Sequence, residues 1–188
     1  MSKRFPIPEF DRDQYKNMAW QQSAPLSREE QARLIEAARA GKAEAYGSYA
    51  VEADDAFYER FALKGPHRHA VMCLLPPKTE VRLVGRSWAW PIQRAVVVDS
   101  LDAKQARVLH EWKTPRCMNT RLGPDKGVAI EGGVVYAVLG HRYSDHWVSN
   151  RTMKDTRGAP DGKGFSVVSA SDDDNHDFHA CNLSFSWT

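Results

Sequence analysis

Seven histidines give this chain its most chemically versatile side chains, and several of them stand at the ends of β-like runs. His67 and His69 share a face with Val71, Cys73 and Leu75, and His110 shares one with Val108 and Trp112. His141 lines up with Val135, Ala137 and Leu139, while His179 heads an apolar face that continues to Trp187. Neutral imidazole is a common ligand for transition metals. If these ends meet at the mouth of a barrel, His67, His69 and His179 make a candidate metal site. The plainer alternative is a set of hydrogen-bonded rim histidines.

Three other clusters are candidates for holding a ligand. Trp88 and Trp90 fall on one face of one run, flanked by Arg82, Arg86 and Arg94. Exposed, the two rings make a platform for a sugar or a proline-rich segment; buried, they are core. The arginines can recognise an anion or cover the rings with their stems. The densest polar stretch is Gly140 to Trp147, GHRYSDHW, with His141 and Asp145 as its candidate contacts. It contains a Ser, a His and an acid but no nucleophile elbow, and a turn with a satisfied Asp145 accounts for it. The third cluster is acidic, with Asp172, Asp174 and Asp177 as candidate ligand-binding residues.

That acidic stretch sits between two β-like runs at the end of the chain. In the final run, Cys181, Leu183, Phe185 and Trp187 share one face, and Asn182, Ser184 and Ser186 the other. This is the pattern of a strand covered on one side in an antiparallel sheet. The spacing F-x-V-V from Phe165, an Asp/Asn-rich loop, Asp177-Phe178 and a terminal Trp187 resembles the last hairpin of the calcium-dependent fucose/mannose-binding bacterial lectins. The resemblance spans about residues 165–187. It implies a β-sandwich with sugar hydroxyls bound through calcium. Asp172 and Asp177 fall on acidic positions of that family's loop. Asn175, His179 and Ala180 stand where the family uses Asp, Asn and Asp, and Ser171 replaces a Glu. Calcium takes six to eight oxygen ligands, so a plain acidic turn is the expectation and no cofactor is expected. A divalent metal, calcium here or a transition metal at the histidines, is the alternative. His67-x-His69 also resembles the paired histidines of the cupins, although the next acid, Glu80, lies beyond Pro76 and Pro77.

The rest of the chain must position these groups. Residues 1–26 form an arm without usable period, carrying Phe5, Phe10, Tyr15 and Trp20 between polar residues. Such an arm docks on its own domain or on a neighbouring subunit. Ser27-x-x-Glu30 is a capping box that predicts a helix to about Ala40, with Leu34, Ile35 and Ala38 on its apolar side and Gly41 as its stop. A second helix is expected from about Glu52 to Leu63. Residues 27–64 are thus read as a helical segment packed on a sheet, and 65–188 as the β domain. Strands are expected near Arg68–Leu75, Glu80–Val84, Trp88–Asp99, Arg107–Lys113, Val128–Leu139, His146–Val148, Ser166–Ala170 and Phe178–Trp187, with Gly132-Gly133 splitting its run or marking a bulge. The fold class is mainly β: an antiparallel β-sandwich or jelly-roll-like barrel of about eight strands.

A hydrophobic content of 42% over 188 residues supports a real core. A net charge of +2 is too small to argue for nucleic acid. No apolar run reaches membrane-spanning length. Cys73, Cys117 and Cys181 are odd in number without C-x-x-C spacing, and Pro6 and Pro8 interrupt any signal-like start, so a cytoplasmic or non-secreted setting, or a virion, is expected. Phosphate-loop, dinucleotide and H-E-x-x-H motifs do not occur. The sequence leans away from an enzyme. It reads as a binding protein for a carbohydrate or protein ligand using end loops. The alternatives are a subunit of a virion or tail-like assembly, self-associating through residues 1–26, and a small cupin-like metal enzyme.

Overall fold

The structure, a computed structural model, describes residues 24–65, 70–88, 91–116, 120–154, 161–170 and 181–188. The helical elements among them are α1 (Arg28–Arg39), a 3-10 turn at Ala43–Ala45 and α2 (Asp55–Arg60). The strands are β1 (Gly47–Val51), β2 (Leu63–Lys64), β3 (Ala70–Leu74), β4 (Glu80–Ser87), β5 (Gln93–Val98), β6 (Val108–Lys113) and β7 (Thr120–Leu122). They continue with β8 (Val128–Glu131), β9 (Val134–Tyr143), β10 (His146–Ser149), β11 (Arg151–Lys154), β12 (Gly164–Ala170) and β13 (Cys181–Ser186). Two open sheets result. The first runs β6-β5-β9-β3-β1, and β10 followed by β2 continues the β3 side along the far end of the long β9. The second runs β11-β12-β13-β4, with β7 and β8 sharing the other edge of β4. All pairings are antiparallel except β10 with β2.

The two sheets face each other over an apolar core. Val71, Cys73 and Leu75, Ala95 and Val97, and Val135, Ala137 and Leu139 come from the first sheet and its continuation. Val81 and Leu83, Phe165 and Val167, and Cys181, Leu183 and Phe185 come from the second. The alternate residues of the first sheet, Ala70, Met72, Leu74, Val96, Val98 and Val138, build a second core under α1 and α2 with Ala38, Phe57, Tyr58 and Phe61. The first sheet is therefore covered on both faces, which is why β3 reads AVMCL without alternation. In the second sheet β4 alternates cleanly: it buries Val81, Leu83, Gly85 and Ser87 and leaves Arg82, Val84 and Arg86 partly exposed. Full burial of each large aliphatic side chain favours the fold by about 1.5–3 kcal/mol.

The β-sandwich expected from the sequence is the architecture found. The capping box is present, with the Ser27 side chain accepting from the Glu30 amide and the Glu30 side chain accepting from the Ser27 amide. Gly132-Gly133 splits β8 from β9. A Cβ on Gly132 would stand 1.8 Å from the Pro76 carbonyl oxygen, so this turn admits no side chain. The second helix is shorter than expected, because Ala62 adopts φ +55° and releases Leu63 and Lys64 to pair with β10. The stretch read as helical also holds β1, which pairs with β3 at the sheet edge. Its GSYAV sequence is too short to stand out from the neighbouring helix pattern.

Candidate functional site

One end of the sandwich gathers the starts of β3, β5, β7 and β13 and the ends of β4, β6, β9 and β12, as the registers Gln93↔His141, Arg94↔Lys113, Ser87↔Thr120 and Cys181↔Ser87 require. There the inner faces change from apolar to polar. Following Leu139 along β9, His141 points between the sheets, as does Gln93 beyond Ala95 on β5 and Ser169 beyond Val167 on β12.

Asn150 stitches these groups together. It is fully buried at 0% exposure and anchored by its own amide, which donates to the Leu139 carbonyl at 2.8 Å. Its side-chain Nδ2 donates to Gln93 Oε1 at 3.0 Å and to Ser169 Oγ at 3.1 Å, one partner in each sheet. Ser169 Oγ in turn donates to the Cys181 carbonyl at 2.6 Å, and Gln93 Nε2 donates to the Pro91 carbonyl at 3.2 Å. Those onward bonds fix the direction of the whole chain. Asn150 must turn its Oδ1 toward His141, whose Nδ1 lies 2.7 Å away. Nδ1 therefore carries the proton, and in the neutral ring Nε2 carries the lone pair. Gln93 is held further by a paired exchange with Thr114: its amide donates to Thr114 Oγ1 at 2.8 Å, and the Thr114 amide donates to its carbonyl at 2.9 Å.

Around this knot the structure places the other sequence candidates. Trp88 leaves the end of β4 on the outer face of the second sheet, partly exposed, with the Arg86 guanidinium 4.5 Å from its ring centroid. Ser144, at φ +55°, and Asp145 form the β9–β10 turn, and Nδ1 of His146, the first residue of β10, lies 3.1 Å from the Asp145 carboxylate. That hydrogen bond holds the Asp145 carboxyl below the usual carboxylate range. Asp145 is thus a satisfied turn residue, as expected. Beside it Tyr143 is 66% exposed, edge-on to His146. His110 does not join His141: it pairs with Val97 midway along β5 and stacks on Trp112. Arg94 is not an exposed anion receptor, being 8% exposed, paired with Glu111 at 3.0 Å and hydrogen-bonded to the Phe61 carbonyl. Its guanidinium also lies over Trp147, a contact absent from the sequence reading.

Trp90, Asp172, Asp174, Asp177 and the proposed metal ligands His67, His69 and His179 lie outside the described residues. Among the described residues no three His, Cys, Asp or Glu side chains converge to hold a metal ion. Nor does any described helix have the length and apolarity to cross a membrane. Asn150, Gln93 and Ser169 were missed by sequence reasoning.

No protein-family model matches the chain, and no curated protein matches it significantly by sequence. Among solved structures it is similar to the C-terminal domain of a lectin from Burkholderia cenocepacia, with 15% identity and a TM-score of 0.48 over 62% of this chain and 94% of that one. It is also similar to a high-affinity mannose-binding lectin of Ralstonia solanacearum, at 16% identity and a TM-score of 0.47, covering 62% and 95% of the two chains. A Chromobacterium violaceum lectin in complex with alpha-methyl-fucoside gives 13% identity and a TM-score of 0.46 over 62% and 95%. The lectin-like resemblance read from the last hairpin is accompanied by these partial structural likenesses, which cover 62% of the chain.

Proposed function

We propose that the protein is a non-enzymatic binding module whose ligand surface is the polar end of the sandwich. The observation that carries this reading is the Asn150 knot, which locks both sheets together at that end and fixes the tautomer of His141. Binding sites gain affinity when their supporting side chains are ordered beforehand. Trp88, Arg86, His141 and Asp145 belong to this end and are its proposed ligand contacts, together with Trp90, Asp172, Asp174 and Asp177 of the adjoining segments. Carbohydrate is the ligand class to test first, because the hairpin resemblance implies it. A glycan array probed with the full chain should show saturable binding that Trp88→Ala and His141→Ala weaken. Retention of all binding by both variants would remove this end as the site.

A second reading, the assembly subunit, draws on one contact. The Leu26 amide donates to the Ala50 carbonyl at 2.9 Å, laying the root of the arm along β1, the edge strand of the first sheet. Unpaired edges invite strand addition. Deletion of residues 1–24 should reduce the particle mass seen by light scattering if the arm joins subunits. An unchanged monomer before and after removes that reading.

A further inference from the structure

The second core, the one under the helices, opens along one margin. There Ala32 and Ile35 of α1, Ala53 before α2, Leu101 and Ala103 of the β5–β6 connection and Tyr136 of β9 line a groove of about 680 Å³. Ile35, Ala53, Leu101, Ala103 and Tyr136 are only partly buried against that core, and Ala32 is exposed. Leu26 packs on the same core. Its amide donates to the Ala50 carbonyl, two residues before Glu52 on the groove's rim. Its carbonyl accepts at 3.0 Å from the side chain of Gln31, another groove residue. The N-terminal arm therefore joins the fold at the groove's own wall. Residues 1–23 lie outside the described residues. The stretch nearest the root, residues 14–23, reads QYKNMAWQQS, with Tyr15, Met18 and Trp20 as its large apolar side chains and Lys16 as its single charge. The rim carries three acids, Glu52, Asp54 and Asp102, against two bases, Arg28 and Lys104, so its sign complements that lysine. Trp20 stands six residues before Leu26, and six extended residues span up to about 20 Å, enough to bring its ring onto a groove that begins at the root.

We propose that residues 14–23 of the same chain occupy this groove, with Trp20 as the anchor against Ala32, Ile35, Leu101 and Ala103 and with Lys16 toward the acidic rim. A tryptophan buries about 150–250 Å² when it docks, and the apolar floor offers it that cover. The short tether holds the ring near the groove at an effective concentration on the order of millimolar. The chain's own arm thus outcompetes the arm of a second copy in dilute solution. The inference goes beyond the binding-module reading and is the within-chain alternative to the assembly subunit.

The test is disulfide trapping in the full chain. In a Cys117→Ser background, Gln21→Cys beside the anchor is combined with Lys104→Cys on the groove's rim, and the protein is oxidised with diamide. Cys73 and Cys181 are buried and stay out of the reaction. A cross-link within one chain is expected, seen as a faster monomer band on a non-reducing gel and as a 21–104 peptide by mass spectrometry. Trp20→Ala should slow its formation about 10-fold or more, as loss of a buried aromatic anchor does. Ala32→Glu, a block at an exposed position of α1, should slow it likewise while leaving the melting temperature of the fold unchanged. Gln21→Cys paired with Glu131→Cys, on the second sheet, is the control and should not cross-link. A covalent dimer in place of the monomer band overturns the proposal and gives the groove to a second copy's arm. No 21–104 cross-link, one no faster than the Glu131→Cys control, or one that Trp20→Ala leaves at full rate overturns it as well.

Discussion

Substitution Asn150→Ala removes three hydrogen bonds at once, to His141, Gln93 and Ser169. The three partners do not suffer equally. Ser169 Oγ keeps its bond to the Cys181 carbonyl. His141 is half-buried and can recover part of its loss from water. Gln93, at 0% exposure, leaves Oε1 stranded in the interior. An unmade bond at a buried polar group costs about 1–3 kcal/mol. With a small cavity added, the expected loss is roughly 3–5 kcal/mol. For a chain of this length each kcal/mol lowers Tm by about 2–4 °C, so a fall of roughly 6–20 °C should appear in thermal or urea unfolding. Asn150→Asp discriminates the reasons. It keeps the acceptor toward His141 and removes both donors, so at neutral pH it should be about as damaging as alanine. Pairing Asn150→Ala with Ser169→Ala should give a non-additive cycle, because the two share one bond between the sheets. A loss below about 1 kcal/mol for Asn150→Ala, or full additivity in the cycle, would refute the claim that this residue locks the end of the sandwich.

Three further outcomes follow from the packing. Gly123 adopts φ +77°, and a Cβ there would lie 2.5 Å from the Trp112 indole; Gly123→Ala should cost about 2–4 kcal/mol and shift the tryptophan emission, both read by fluorescence-monitored unfolding. Burial pushes the Cys73 and Cys181 thiols far up; in a Cys117→Ser background neither should react with a thiol reagent until the protein unfolds, and prompt reaction would show the core to be open. Burial, with a smaller contribution from Glu52, raises Tyr58 from 10.0 to about 12. Because the folded-state value lies above the unfolded one, the stability linked to this group is full below pH 10 and declines as pH rises through about 12, which urea midpoints across that range and a Tyr58→Phe control will measure.

How much of this was legible depended on how local the signal was. The capping box at Ser27 and Glu30 is written within four residues, and the last strand declares its faces through Cys181, Leu183 and Phe185 against Asn182, Ser184 and Ser186. The strands of the first sheet lose that alternation because helices cover their other face, and the sequence alone does not show that cover. Strands β2, β7 and β11 are two to four residues long and carry too little pattern to be read. Asn150 left no mark at all. Its partners Gln93 and Ser169 are 57 and 19 residues away, and an asparagine after a strand usually means a turn. His141 was legible as a strand-end histidine facing inward, but the group that orients it was not.

The polar end also bears on why the chain keeps such a knot. The sandwich core is apolar up to Leu139 and Val167, and apolar side chains at the positions of Gln93, Asn150 and Ser169 would extend it by one more layer. Replacing mutually bonded polar groups by apolar ones of similar shape is close to neutral for stability. The knot therefore adds little to the fold that hydrophobic packing would not supply. What packing cannot supply is direction: a fixed donor toward each sheet and an acceptor that holds one imidazole nitrogen protonated. A buried network whose distinctive product is the orientation of a surface-reaching histidine is what the proposed ligand contact at that end would need, and it supports proposing that end rather than the helical face as the recognition surface.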